Sequence, residues 1–181
     1  FGDEKDSSRI ANNIVKERQK SPILSVPKLV EIIQKSKKKN FKKKINICTQ
    51  TFQAIRIFVN QEISELVNGL IKATKFLKKG GKLIIVSFHS LEDKIVKFYF
   101  TNYSKNKSRG SRYYPHIKNE KILFENYKNK IIRPKENEIK ENISSRSAKL
   151  RYATRSKDNY FYPEDLKKQF SYYLNLESEH V

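Results

Sequence analysis

A Gly-Gly pair at Gly80 and Gly81 ends a long run of helical spacing, and the pattern then changes to a short apolar run, Leu83, Ile84, Ile85 and Val86, led by Lys82. That run reads as a buried strand. The polar cluster behind it, Ser87, Phe88, His89, Ser90, Glu92 and Asp93, precedes a return of helical spacing, so Lys79 to Lys97 runs helix, strand, loop, helix. In open α/β sheets ligands bind in the loop at the carboxyl end of a strand, where helix N-termini converge. The cluster stands in that position. A purely local role is equally open to it: Ser90 as an N-cap with Asp93 three residues on is close to a capping box, and Glu92 and Asp93 suit the positive end of the helix dipole. His89 is by the same reasoning either a hydrogen-bonding loop residue or a candidate base.

The rest of the chain narrows the classes. At 181 residues it is long enough for one ordinary domain, but only 37% of it is hydrophobic and 32% is charged, so the core is lean. Thirty-nine Lys and Arg against 19 Asp and Glu give a net charge of +20, which predicts attraction to a polyanion, nucleic acid first and an anionic membrane surface second. Lys far outnumbers Arg, and part of the excess is compositional drift on the bland reading. No apolar run approaches a bilayer span, and the first residues do not read as a signal peptide. The single cysteine, Cys48, excludes an internal disulfide and fits a reducing cytoplasm, and three scattered histidines, His89, His116 and His180, argue against a protein-bound metal.

Taken in order, Asp3 to Lys20 has helical spacing at Ile10, Ala11, Ile14 and Val15 and is stopped by Pro22. Val26 to Ser36 is a second helix with Pro27 in its first turn and Leu29, Val30, Ile32 and Ile33 inward. Lys37 to Lys44, KKKNFKKK, breaks periodicity and reads as a solvated linker or, through Lys42 and Lys43, as a phosphate contact. A helix from about Thr49 to Leu77 follows, on which Gln53, Arg56 and Asn60 share a side. Leu91 to Phe100 is the helix after the strand. Thr101 to Tyr114 is basic, polar and aromatic, and reads either as a loop whose Lys105, Lys107, Arg109 and Arg112, interleaved with Tyr103, Tyr113 and Tyr114, offer charge and stacking to single-stranded RNA, or equally as a basic loop with no specific role. Ile122 to Phe124 and Lys130 to Arg133 are short strands, Lys135 to Glu141 a helical turn, Ala148 to Ala153 a strand with Leu150 and Tyr152 on one face, and Pro163 to Leu176 a helix.

Three segments in order, TFQAIRIFVNQEISEL (Thr51 to Leu66), GGKLIIVSFHSLEDKIVKFYF (Gly80 to Phe100) and SSRSAKLRYATR (Ser144 to Arg155), resemble the ribosomal RNA small-subunit methyltransferase H family, and the opening FGDEKDSSRIANNIVKER is similar to that family's YGEE…RIA…IV helix. The resemblance implies an α/β fold, the C-terminal part of a class I, Rossmann-like S-adenosylmethionine-dependent methyltransferase sheet, preceded by part of an inserted all-helical domain. It divides the chain into 1–44, the end of the helical substrate-binding domain; 45–160, the C-terminal half of the methyltransferase domain; and 161–181, a C-terminal helix or tail. The implied activity is methylation of the exocyclic N4 amine of a cytidine in 16S ribosomal RNA, with that RNA or the small subunit as partner, a homodimer allowed, no membrane and a cytoplasmic location. For that chemistry the catalytic candidates are His89, Ser87 and Asp93, with His89 and Ser87 positioning the amine and Glu92 or Asp93 structural. The RNA-facing candidates are Gln53, Arg56, Asn60, Lys42, Lys43, Arg109, Arg112 and Arg146.

The family's Gly-rich cofactor loop, its ribose-binding acidic residue and its Asp-Leu-Gly stretch do not occur here. The five glycines are Gly2, Gly69, Gly80, Gly81 and Gly110, and there is no methionine. The expectation is therefore the C-terminal part of a longer protein, without the main contacts to S-adenosylmethionine. The family's His-Pro-Ala-Thr-Arg before Thr51 is also replaced, by Asn46, Ile47, Cys48, Thr49 and Gln50. Two other classes stay open: a non-catalytic basic RNA-binding module, and a membrane-surface or chaperone-like interaction protein.

Overall fold

A computed structural model describes residues 1–37, 46–104 and 121–178. They fall into two compact units, Phe1–Glu62 and Ile63–Val181. The expected boundary between residues 44 and 45 lies outside the described residues, as do Lys42, Lys43, Arg109 and Arg112.

In the first unit, α1 (Ser7–Lys20) and α2 (Val26–Ser36) form where the apolar spacing predicts them. Ser25 caps α2 by accepting from the Lys28 amide, and Pro27 sits in the first turn, where its absent N–H costs nothing. The helices pack on each other through Ile10 and Ile33, with Cys48 completing the buried cluster and Ile14, Leu29, Val30, Ile47 and Phe52 around it. Lys37 departs from its expected place in a solvated linker. Its ammonium is buried against Glu4, which also accepts from Thr51 Oγ1 at 3.0 Å, and it donates to the Ile47 carbonyl. Burial opposes ionisation of Glu4, but Lys37, the Asp6 amide and Thr51 together hold its carboxyl below the usual range. Gly2 serves this corner because its backbone runs against Gln50: a Cβ there would lie 2.2 Å from the Gln50 carbonyl oxygen.

The single long helix expected from Thr49 to Leu77 is two: α3 (Thr49–Val59) and α4 (Glu62–Phe76). Asn60 leaves helical geometry and Gln61 is left-handed, with φ of 51°. Ile55, Ile57 and Val59 recur every second residue, which no helix face can bury together, and only Ile57 is buried.

The second unit is built on an antiparallel sheet of three short strands, β1 (Lys82–Ser87), β2 (Phe124–Glu125) and β3 (Lys149–Arg155), in the order β1-β3-β2. Lys82 pairs with Thr154 and Ser87 with Lys149; Phe124 pairs with Arg155. The strand that the sequence suggests as central, β1, is thus an edge among the described residues, and β3 holds the middle. The expected strand over Lys130 to Arg133 contributes one bridge, Ile132 to Leu150. Gly80, at φ 80°, turns the chain from α4 into β1 and donates its amide to Arg155 at 3.0 Å.

One face of the sheet is covered by α5 (Ser90–Asn102), from which Leu91, Ile95, Val96, Tyr99 and Phe100 are buried. Tyr99, Phe100, Tyr103, Phe124 and Tyr127 make a run of edge-on and tilted ring contacts with centroids 5.0 to 6.1 Å apart, the main apolar mass of this unit. Two of the strand's inward residues are arginines. Arg151 and Arg155 lie with Ala153 on the buried face of β3, and the row shared by Leu150 and Tyr152 points outward. Arg155 is satisfied by carbonyls, those of Leu123, Ser156 and Asp158, and by the Ser156 hydroxyl at 2.9 Å.

After α6 (Glu136–Glu141) and a 3-10 turn over Ile143–Ser147, the tail forms α7 (Glu164–Gln169) and α8 (Ser171–Ser178), broken at the buried Phe170, where one helix was expected. Glu177 is buried, accepting from the amides of Ile63 at 3.1 Å and Ser64 at 2.8 Å and so capping α4 from the far end of the chain.

Candidate active site

The polar cluster lies where the sequence places it, between the end of β1 and the first turn of α5. Its capping arrangement is shifted one residue from the expected one: His89, not Ser90, is the N-cap, and Glu92, not Asp93, completes the box. His89 Nδ1 accepts from the Glu92 amide at 3.3 Å, while Glu92 Oε2 accepts from the amides of Phe88 at 2.8 Å and His89 at 3.4 Å. An accepting Nδ1 carries no proton, so the neutral ring's hydrogen is on Nε2, which sits 3.3 Å from Glu92 Oε1 without hydrogen-bond alignment. His89 is buried. Burial works against the Glu92 charge, but the imidazole and the Phe88 amide outweigh it and hold the carboxyl below its ordinary value.

Asp93, one residue further, turns inward. Arg151 donates to both of its oxygens, Lys149 Nζ stands 3.5 Å away, and Arg151 Nη1 reaches Tyr127 Oη at 3.0 Å and Asn129 Oδ1 at 3.3 Å. Here too desolvation disfavours the charge and is overcome, by Arg151 first and Lys149 second, so the carboxyl lies below the usual aspartate range. Ser87, buried at the strand's end, donates to the Lys149 carbonyl at 3.3 Å. Ser87, His89 and Asp93 thus meet at one end of β1, each engaged with its own neighbours.

The other candidates sit elsewhere. Arg56 on α3 donates to both oxygens of Glu62, at 2.7 and 3.0 Å, and Asn60 Nδ2 reaches the first of these oxygens at 3.3 Å, so this side of the helix folds back on the helix break. Gln53 is half-buried on the same helix. Arg146 is exposed in the 3-10 turn before β3. Sequence reasoning passed over Arg151, which holds Asp93, and Tyr127 and Asn129, which hold Arg151. The available signal was the arginine two residues before Ala153 in a strand whose opposite face also carries apolar residues.

Residues 1–156 match the model of the MraW methylase family. Among curated relatives, the protein called ribosomal RNA small subunit methyltransferase H in Agrobacterium fabrum is 41% identical over 156 residues, covering 86% of this chain and 46% of that one. Its namesake in Rickettsia africae is 44% identical over 159 residues, covering 84% and 50%. The match sets the chain among the methylases. Within that class it belongs to the MraW methylase family. The chain spans about half the length of the curated relatives it matches.

Binding S-adenosylmethionine in a Rossmann-like sheet calls for a glycine-rich backbone cradle and a carboxylate for the ribose. At the end of β1 the two carboxylates are committed, Glu92 to the cap and Asp93 to Arg151, and no glycine-rich loop is present. The described residues do not by themselves fit the cofactor.

Proposed function

We propose that this chain is the C-terminal part of an S-adenosylmethionine-dependent methyltransferase that modifies the exocyclic N4 amine of a cytidine in 16S ribosomal RNA, acting in the cytoplasm. The observation that carries the reading is the family match over residues 1–156, with relatives named as ribosomal RNA small subunit methyltransferases. The net charge of +20 agrees with an RNA substrate. None of the described helices is long and apolar enough to cross a membrane.

In this reading the sheet is the far edge of a larger class I sheet, and the main cofactor contacts lie in the part of the family's chain not spanned here. The cofactor supplies an electrophilic methyl group. The residues of this chain orient the base: the capped loop fixes Ser87 and His89 at the end of β1, and Asp93 anchors that loop to β3 through Arg151. Gln53, Arg56, Asn60 and Arg146, with Lys42, Lys43, Arg109 and Arg112, supply polar and cationic contacts to the RNA.

The test is methyl incorporation into purified small-subunit ribosomal RNA by the chain joined to the preceding half of a family member, with mass spectrometry of the modified nucleoside. N4-methylation of a cytidine supports the reading. RNA binding that is steeply salt-dependent and accompanied by no methyl transfer replaces it with the basic RNA-binding module.

A further inference from the structure

The C-terminal end of α4 carries a cluster of positive charge. From Leu66 to Leu91 the chain has no acidic residue, and within that stretch Lys72, Lys75, Lys79 and Lys82 are all exposed. The turn through Gly80 and Gly81 exchanges backbone hydrogen bonds with Arg155, at 3.0 and 2.8 Å, and Lys82 pairs with Thr154, so the exposed Lys157, just past β3, joins the group. Among the described residues none of these five ammonium groups meets a carboxylate, whereas Lys20, Lys28, Lys35 and Lys168 each meet one on their own helices. Glu125 and Asp158 stand near Lys157, but they accept from backbone amides, those of Lys157 and Ile122.

Amid these cations stands a large apolar ring. Phe76, the last residue of α4, is 78% exposed, and Lys72, one turn earlier, shares its side of the helix. Lys75 Nζ lies 5.7 Å from the ring centroid. Lysines in a last turn complement the helix dipole, which accounts for Lys75. It accounts neither for Lys82 and Lys157, at the ends of two strands, nor for a phenylalanine left in water beside them. An exposed aromatic face flanked by unpaired ammonium groups suits an unpaired base with its neighbouring phosphates. A lipid surface calls for a continuous apolar strip, and this side of α4 runs Glu65, Gly69, Lys72, Phe76.

We propose that Phe76 and its surrounding lysines form a second RNA-binding surface, on which one unpaired base stacks against the ring while Lys72, Lys75, Lys79, Lys82 and Lys157 hold the backbone to either side. The surface lies where β1 begins, and the loop of Ser87 and His89 lies where it ends. The six residues of the strand separate the two by about 17 Å. RNA held here is anchored away from the nucleotide being modified. The proposal rests on the reading above that the substrate is RNA, and it adds contacts outside the modified base.

The experiment titrates the full 181-residue chain into a fluorescein-labelled single-stranded RNA of about 12 nucleotides, read by anisotropy at several salt concentrations, beside a duplex of the same length. The variants are Phe76→Ala and the pair Lys72→Gln/Lys75→Gln; Lys5→Gln/Lys16→Gln, an exposed pair in the first unit, removes the same charge elsewhere. All these positions are exposed, so circular dichroism and melting stay those of the parent. Phe76→Ala is expected to weaken single-stranded RNA by about fivefold or more at unchanged salt slope, and to leave the duplex alone. The lysine pair should weaken both and flatten the slope by about 1.4, two phosphate contacts at about 0.7 each for a single strand. Full affinity in Phe76→Ala, or a loss in the lysine pair no greater than in the control pair, overturns the proposal. So does binding to phosphatidylserine vesicles that depends on Phe76 while RNA binding does not. Methyl transfer is scored separately, in the chain joined to the preceding half of a family member. RNA binding at this face without methylation leaves the surface standing and removes the proposed activity, whereas methylation at parental kcat/KM in both variants does the reverse.

Discussion

Arg151 meets Asp93 end to end, Nε to Oδ1 at 2.7 Å and Nη2 to Oδ2 at 3.2 Å, so a single fork of two charge-assisted hydrogen bonds ties the first turn of α5 to the central strand of the sheet. The guanidinium is almost wholly buried and has Tyr127 and Asn129 on its remaining side. Removing the carboxylate leaves that charge stranded. Asp93→Ala is therefore expected to lower unfolding free energy by about 3 kcal/mol or more, read as a fall in the urea midpoint at unchanged slope. A destabilisation under about 1 kcal/mol would mean the pair contributes little to the second unit.

Acid sensitivity follows from three depressed carboxyls, Glu4, Glu92 and Asp93. Each binds its proton less readily folded than unfolded, so its stabilisation is complete above the ordinary Glu and Asp values of about 4.3 and 3.9 and is lost as pH falls through the lower folded values. Stability from these groups should be level between about pH 5 and 7 and decline below about pH 4.3. Denaturation midpoints across that range check it; a decline beginning near neutrality would point to other groups.

At His89 the two roles separate by substitution. Asparagine is a good N-cap and alanine a poor one, so His89→Ala should cost about 1 kcal/mol and His89→Asn much less. If the imidazole itself orients or deprotonates the amine, the asparagine variant of the enzyme with its preceding half loses methylation while keeping its melting temperature. Full activity in His89→Asn would leave the residue as a cap alone.

The Arg56–Glu62 pair looks strong by distance, yet Arg56 is more than half exposed. Arg56→Ala should shift stability by less than about 1 kcal/mol. A larger loss of affinity for small-subunit RNA, measured by filter binding at fixed salt, would then belong to the RNA contact proposed for it.

Much of this architecture was legible because local signals agreed with the final packing. The spacing of Ile10 and Ile14 specifies the inward face of α1, and the proline opening α2 and the glycine pair before β1 each mark a boundary through backbone geometry. What escaped reading depended on distant partners. Lys37 stands at the head of a lysine run and is buried only because Glu4 and the Ile47 carbonyl receive it. Arg151 sits inside a strand as a charge would on a solvent face, and it turns inward to Asp93 on α5 and to Tyr127 and Asn129 in the segment after β2. The capping box was visible as a motif but displaced by one residue, because histidine is not among the side chains expected to cap. At the candidate site, the sequence placed the polar loop between a strand and a helix, where it lies, and left undecided which acidic residue was structural; both Glu92 and Asp93 hold intrachain partners.

The clamp of Glu177 on the amides of Ile63 and Ser64 joins the two ends of the second unit. Its consequence is temporal. A nascent chain has made α4 more than a hundred residues before the side chain that caps it exists, and the separation in the bond is 114 positions. Until Glu177 itself has been made, the start of this unit stays uncapped, so the cap closes late in the order of synthesis and a stop before residue 177 is felt at α4.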